Sequence, residues 1–346
     1  MTVARARGTL RSMRVAVGWD ADAEVCLYQG DTLDLLRAMP DGCAQLVVTS
    51  PPYHLDKAYE RGRGASFEDY LEGQRQVIGE CVRVLRFGGS ICWQVGNHVT
   101  PREIVPLDVV LYPLFKRHED LVLRNRVVWH FEHGLHCTKR LSGRYEVLLW
   151  FTKGRDAVFH LDPIRVPQKY PGKRGWKGKR AGEYTGHPLG KNPGDVWTFP
   201  NVKANHVEKT AHPCQFPVEL VERVLLATTD PGDLVLDPYA GVGTTACAAV
   251  LHGRRAAGAE IVPQYMAIAR ERLTMAAAGS LATRPRTRPV HRPDPRSALA
   301  RRDGPRTVGA RRVRARVSAQ GLRISARALA APASPERADD HRPATL

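Results

Sequence analysis

Polar and apolar positions along the chain fall into short blocks with two rhythms. Val25-Cys26-Leu27-Tyr28, Ala44-Gln45-Leu46-Val47-Val48-Thr49, Ile91-Cys92-Trp93-Gln94-Val95 and Leu234-Val235-Leu236 are compact apolar runs bounded by turn residues. Runs of that length predict strands buried on both faces. Arg255-Ala256-Ala257-Gly258-Ala259-Glu260-Ile261 predicts another. Between them, Thr32 to Met39 repeats apolar residues at spacing three and four. Glu68 to Leu85, Val218 to Leu226 and Ala246 to Leu251 also predict helices. Leu121 to Trp129 and Tyr145 to Thr152 predict an antiparallel pair at the sheet edge. The expected fold is α/β, a doubly wound, mostly parallel sheet in which the 44–50 and 234–240 strands are neighbours.

The strand over 44–49 ends in Ser50-Pro51-Pro52-Tyr53. Open α/β sheets place ligands at the carboxyl ends of their strands. The two prolines remove two N–H donors and stiffen the chain, which leaves the Ser50 and Pro51 carbonyls able to accept hydrogen bonds. Tyr53 adds a flat wall. Such an acceptor-rich cup suits a planar group carrying an NH2, although a plain strand-ending turn would also fit.

A second motif follows the strand at 234: Asp237-Pro238-Tyr239-Ala240-Gly241-Val242-Gly243-Thr244-Thr245. Glycines let a backbone approach a ligand closely, and the following helix offers unpaired N–H groups. Neither a phosphate loop nor a full G-x-G-x-x-G is present, because Ala246 stands at the last glycine position. Dinucleotide sites tolerate Ala there, so the loop alone leaves that reading open. Glu260, 23 positions after Asp237 at the end of the next strand, could accept hydrogen bonds from ribose hydroxyls.

Together these motifs resemble the amino-methyltransferases of DNA, whose signature is (Asp/Asn/Ser)-Pro-Pro-(Tyr/Phe). The order, Ser-Pro-Pro-Tyr first and the glycine loop about 190 residues later, is similar to their circularly permuted beta group. His212-Pro213-Cys214-Gln215-Phe216-Pro217 resembles that group's His-Pro-x-Gln-x-Pro segment, and the resemblance spans about residues 22 to 275. It implies a seven-stranded, Rossmann-like methyltransferase sheet and S-adenosyl-L-methionine as cofactor. Asp31, His212, Gln215, Asp237, Tyr239, Gly241, Gly243, Thr244 and Glu260 would bind it. Read without the resemblance, Asp31 is a turn or helix cap. Ser50, Pro51, Pro52 and Tyr53 would hold and activate a base flipped from double-stranded DNA. Ser at the first position points to N4 of cytosine, with N6 of adenine as the alternative. A separately acting cognate restriction endonuclease is the partner that such a role admits.

Pro213-Cys214-Gln215 also spells the nucleophile motif of cytosine-C5 methyltransferases. In those enzymes the glycine loop comes first, and Ser-Pro-Pro-Tyr would have no role, so Cys214 reads as a packing residue. A non-catalytic nucleic-acid-binding module would explain the charge but not three cofactor segments in permuted order.

Composition narrows the setting. The 346 residues carry a net charge of +17 and 43% hydrophobic content, enough for a full core. Seven cysteines without a Cys-x-x-Cys pair argue against a disulfide framework and a four-cysteine zinc site. No apolar run suggests a signal peptide or membrane span, and a cytoplasmic enzyme is expected. His130, His133, His136 and Cys137 are close in sequence, but Gly134 and the absence of further ligands give no metal site.

The positive charge has two sources. Residues 281–346 hold sixteen arginines, no lysine and five acids, with little apolar periodicity, and are expected to be a disordered, dispensable tail. Between 162 and 210 regular periodicity fails. Lys173, Arg174, Lys177, Lys179 and Arg180 there interleave with Tyr170 and Trp176, and Tyr184 and Trp197 follow. Cations for phosphates and aromatics for bases suit a target-recognition insert, although a solvated basic loop has the same composition. The expected organisation is a loose lead-in over 1–21, a methyltransferase domain over 22–280 containing the insert, and the tail.

Overall fold

The computed structural model describes residues 13–54, 66–100, 103–134, 136–170, 172–179 and 181–289. The first half of the chain contributes β1 (Val15–Ala16), β2 (Val25–Gln29), α1 (Thr32–Ala38), β3 (Ala44–Thr49), α2 (Phe67–Val84) and β4 (Leu85–Val95). Next come β5 (Asn97–Val99), β6 (Ile104–Pro106), α3 (Leu107–Lys116), β7 (Leu121–His130) and β8 (Tyr145–Lys153). The remainder forms β9 (Val196–Thr198), α4 (Val218–Thr228), β10 (Leu234–Asp237), α5 (Thr244–Leu251), β11 (Arg255–Glu260) and α6 (Pro263–Ala277).

The main sheet runs β1-β2-β11-β10-β3-β4-β8-β7-β9. Its central seven strands are the expected ones, and one very short strand extends it at each edge. Val15–Ala16 pair with Val25–Cys26, so part of the expected lead-in belongs to the sheet. β8 runs antiparallel to both β4 and β7, and β7 accepts β9 in parallel, so β8 alone opposes the common direction. The 44–50 and 234–240 segments are adjacent as expected, with Leu46 opposite Val235 and Val47 opposite Leu236. From β3 the chain proceeds outward through β4, and from β10 it proceeds the other way through β11. The gap between β3 and β10 is therefore the switch point, where the two halves diverge.

Alternation along β3 shows why both faces are covered. Val47 packs with Leu35, Leu36, Ile78, Leu111 and Phe115 from α1, α2 and α3. Its neighbours Leu46 and Val48 pack with Val221, Leu225, Ala249 and Met266 from α4, α5 and α6. A period of two places consecutive apolar residues on opposite faces, and each face finds its own helical layer. Local chemistry fixes the helix starts: Asp31 Oδ1 accepts the Leu33 N–H at 2.9 Å. Ser66 and Asp69 form a reciprocal capping box at α2.

The carboxyl boundary differs from the expected one at 280. Arg284 is buried, donating to Glu219 Oε2 at 2.6 Å through its guanidinium and to Glu208 Oε1 at 3.1 Å through its backbone N–H. Residues 281–289 are thus tied to α4 through Arg284, because a buried glutamate there is matched by this arginine. The rest of the Arg-rich segment lies outside the described residues. Among the described residues no helix is long and apolar enough to cross a membrane.

Candidate active site

Ser50-Pro51-Pro52-Tyr53 leaves the carboxyl end of β3, and the glycine loop leaves that of β10. Both line one cleft, together with Gly30, Thr32, His212, Gln215, Tyr239, Gly241, Thr244 and Glu260. Strand pairing between β3 and β10 accounts for this convergence of motifs that lie far apart in the chain.

The loop is held from beneath by Asp237. This side chain is 2% exposed and does not line the cleft. Its Oδ1 accepts from Thr49 Oγ1 at 2.6 Å and from the Tyr239 N–H at 3.1 Å, while Oδ2 accepts from Thr245 Oγ1 at 2.6 Å. Burial pushes its pKa up to about 6, against the lowering effect of those hydrogen bonds. The motif predicts a ligand contact at Asp237, but the side chain instead fastens the loop to β3 and α5 and is not positioned to touch a ligand. Gly243 is also outside the cleft wall. It caps α5 with φ of +73°, and a Cβ there would stand 2.9 Å from Ala269 Cβ.

Glu260 does face the cleft, with its two oxygens already engaged. Oε2 accepts the Gly241 N–H at 2.9 Å and Oε1 the Val262 N–H at 2.8 Å. Each carboxylate oxygen has capacity for a second hydrogen bond, so the side chain can brace the loop and still receive hydroxyls. Asp31 lies in an adjoining hollow that shares Thr32, Pro52 and Tyr239 with the main cleft. Its cap to Leu33 coexists with that placement. Thr244 accepts from Arg272 Nη1 at 3.0 Å, and the same arginine atom holds the Val242 carbonyl at 2.6 Å.

The His212–Pro217 segment forms the opposite wall. The His212 ring packs edge-on against Tyr265 with centroids 4.6 Å apart, and Nδ1 accepts the Cys214 N–H at 3.2 Å. Burial lowers its pKa to about 4, so the ring is neutral near pH 7. Gln215 spends its amide on the local loop, donating to the Glu208 carbonyl at 2.9 Å and accepting from Thr210 Oγ1 at 2.9 Å. Cys214 is exposed.

Beyond Tyr53 lies a second chamber, which shares Tyr53, Cys214, Gln215 and Phe216 with the first. Ser50 Oγ and Tyr53 OH are 3.0 Å apart, and Tyr53 OH donates to Glu146 Oε2 at 3.3 Å. Gln94 Nε2 donates to the same oxygen. Burial raises the Glu146 pKa above the ordinary carboxylate range, and burial also raises that of Tyr53 well above its usual value. Sequence reasoning missed Glu146 and Gln94. The available signal was a lone acid at the mouth of β8 and a lone amide in β4, which only strand pairing brings together.

The insert presents Lys173, Arg174, Trp176, Lys177 and Lys179 to solvent, with Trp176 94% exposed. Arg174 stacks over Tyr184 at 4.0 Å. Arg180 lies outside the described residues. Trp197, expected among the base-contacting aromatics, is instead 8% exposed in β9, where Arg223 covers its ring at 5.1 Å. Strand pairing with β7 turns it into the core. Among the described residues, His130, His133, His136 and Cys137 form no group able to hold a metal.

A family model described as DNA methylase, of the N6/N4 methyltransferases, matches residues 44–271. The chain is 49% identical over 244 residues to the type II methyltransferase M.BglII of Bacillus subtilis, covering 70% of this chain and 67% of that one. It is 32% identical to the DNA adenine methyltransferase YhdJ of Escherichia coli K12, covering 72% and 83%. Among solved structures, TTHA0409 of Thermus thermophilus, described as a DNA modification methylase and complexed with S-adenosyl-L-methionine, aligns with a TM-score of 0.52. That alignment has 28% identity and covers 73% of this chain and 94% of that one. The glycine-loop cleft, the Ser-Pro-Pro-Tyr turn at the switch point and these matches lead to one conclusion: the chain belongs to the N4/N6 family of DNA amino-methyltransferases.

Proposed function

We propose that this enzyme methylates N4 of a cytosine flipped out of a specific double-stranded DNA sequence. The observation that carries transfer to a base amine is the shared cleft, which Ser50 and the glycine loop both line, and the serine at the first position of the motif favours cytosine. The residues fit S-adenosyl-L-methionine. Gly241 brings backbone to the cleft wall at φ of +52°, Glu260 adds carboxylate oxygens, and Tyr239, His212 and Tyr265 add flat surfaces. When bound there, the cofactor supplies an electrophilic methyl group on a positively charged sulfur. Gly241, Thr244, Glu260, His212 and Gln215 would form its walls, Asp31 would stand beside it in the neighbouring hollow, and Asp237 and Gly243 shape the loop from below.

An exocyclic amine is a weak nucleophile because its lone pair is delocalised into the ring. Ser50 Oγ and the Pro51 carbonyl accept its two hydrogens, drawing the nitrogen towards tetrahedral geometry and localising that pair. Tyr53 provides the stacking wall for the flipped base. Rate enhancement would come mainly from positioning, with Ser50, Pro51 and Tyr53 holding the amine beside the cleft that would hold the methyl donor. Lys173, Arg174, Lys177 and Lys179 position phosphates, and Trp176 and Tyr184 contact bases.

The Ser50 hydroxyl accepts from the NH2 of adenine equally well, and the likeness to YhdJ keeps N6 of adenine as the second reading. Expression of the chain in a host without DNA methylation, followed by methylome sequencing, tests both. N4-methylcytosine at one sequence motif supports the proposal, and N6-methyladenine there replaces it with the second reading. The type II name of M.BglII supports a protective role beside a separately acting restriction endonuclease.

A further inference from the structure

Methyl transfer to an amine leaves one proton without a destination, and the site holds one half-buried acid, Glu146, without a task. When the amine nitrogen forms its bond to the methyl carbon, the sulfur keeps the electron pair of the broken S–C bond and leaves as a neutral sulfide. The nitrogen then carries a positive charge and both original hydrogens, one of which must depart. Ser50 Oγ cannot keep that proton, because an alcohol is far too weak a base.

The geometry points to Glu146 as the terminal proton acceptor of the methyl transfer, reached from Ser50 through the Tyr53 hydroxyl. This rests on the proposed transfer to an exocyclic amine at Ser50. Three contacts form the route: Ser50 Oγ to Tyr53 OH at 3.0 Å, Tyr53 OH to Glu146 Oε2 at 3.3 Å, and the Gln94 amide on that same oxygen. The donors are ordered by the carboxylate. Glu146 accepts from Tyr53, the tyrosine oxygen then accepts from Ser50, and the Ser50 lone pairs point towards the amine. As the aminium loses its proton to Ser50 Oγ, the serine proton passes to Tyr53 and the tyrosine proton to Glu146. The serine and tyrosine end unchanged, the product is a neutral methylamine, and the carboxylate ends as a carboxylic acid. It releases its proton to water in the second chamber, which it lines.

Several features suit Glu146 to this task. Gly96 beside it has no side chain, and a Cβ there would come within 3.1 Å of the Tyr53 ring and 3.3 Å of Glu146. Tyr53 holds its own proton through the ordinary pH range, so it can transmit but not retain a charge. Burial lifts the Glu146 carboxyl above its usual range, which makes it a better proton acceptor than a solvated carboxylate. The groups facing it are Tyr53 after β3, Gln94 on β4 and the more distant Lys203 ammonium before α4, whose charge acts in the opposite direction. Arg140 and His133 border the same chamber.

The test uses the full chain carrying Glu146→Gln, Tyr53→Phe, or both, in single-turnover methylation of DNA between pH 5 and 9. S-Adenosyl-L-methionine and DNA affinities are measured by calorimetry alongside. The amide introduced by Glu146→Gln can still accept from Tyr53 but cannot take a proton. That variant should lower the rate of chemistry by about 10² to 10⁴-fold and remove the acidic limb of the rate–pH profile, with both affinities unchanged. Tyr53→Phe should show the same loss, and the double variant no more than either. A Glu146→Gln enzyme with the wild-type rate and acidic limb overturns the proposal, as does one that is slower while keeping the acidic limb. Should Glu146→Gln fail to fold, Tyr53→Phe decides alone: a wild-type rate and profile overturns the relay. A wild-type chain that transfers no methyl group to DNA refutes the parent reading instead.

Discussion

Thr49 Oγ1 donates to Asp237 Oδ1 at 2.6 Å across 188 positions of sequence, joining the strand that delivers Ser50 to the strand that delivers the glycine loop. With Thr245 on the other oxygen, the carboxylate locks both motifs to one point beneath the cleft. Asp237→Ala leaves two buried hydroxyls and an amide to find new partners, at about 1 to 3 kcal/mol for each one left unsatisfied. The variant should melt earlier and bind S-adenosyl-L-methionine more weakly, although the side chain does not line the cleft. Thr49→Val should show a smaller loss of both. Normal cofactor affinity in Asp237→Ala would show that the loop holds its shape without the lock.

The same carboxyl makes a pH prediction. Its folded pKa of about 6 is raised above the usual carboxylate value of 3.8. The folded state therefore binds more protons than the unfolded state between those values, and the stability contribution is lost as pH rises through about 6. Asp237→Asn should remove that downward slope from a denaturation series across pH 4 to 7. An unchanged slope would place the carboxyl pKa near its ordinary value.

His212 has the opposite sign. Its pKa is lowered to about 4 by burial, so its contribution is present above the usual 6.5 and is lost as pH falls towards about 4. An NMR titration of the ring in the full chain should find it uncharged at pH 5.5. A midpoint near 6.5 would show that the wall behind Gly241 is open to water.

Much of this site was legible because its motifs are local. Ser50-Pro51-Pro52-Tyr53 and the glycine loop each carry a strand, a turn and a chemical group within a dozen residues. What stayed hidden depends on partners distant in sequence. Asp237 reads as a ligand contact until Thr49 and Thr245 are seen to occupy it. Glu146 and Gln94 become a pair only when β4 and β8 align, and Trp197 reads as a surface aromatic until β9 is placed on β7. α3 gave little warning because it contains Pro113, a residue that ordinarily ends a helix. The boundary near 280 failed for a similar reason, since composition cannot show that Arg284 meets a buried glutamate.

That pair gives a stability prediction. Glu219 is fully buried, and its pKa is raised to about 7 by burial, against the lowering effect of Arg284. Removing one partner of a buried pair strands the other, at about 3 to 5 kcal/mol. Arg284→Ala should lower the denaturation midpoint sharply, whereas Arg284→Ala with Glu219→Leu should recover most of the loss. Equal stability in Arg284→Ala and the parent chain would mean that residues 281–289 do not hold α4.

The last prediction separates the two basic regions. The insert places five exposed residues, Lys173, Arg174, Trp176, Lys177 and Lys179, on the segment that joins β8 to the edge strand β9, ahead of α4. It offers cations for phosphate contacts and an exposed indole able to touch bases, so it can supply both affinity and choice of sequence. The segment after 289 contains arginine but no aromatic residue and can supply charge alone. Because Arg284 belongs to the fold, the informative deletion begins at 290, not at 281. Removing 290–346 should leave the methylated sequence unchanged and reduce the salt dependence of DNA binding. Trp176→Ala, alone or with Lys177→Ala, should weaken or relax target choice while calorimetry shows normal cofactor binding. Methylome sequencing of cells expressing each variant reads the outcome directly. A changed motif in the deletion, with an unchanged motif in the Trp176 variants, would assign sequence choice to the arginine-rich segment.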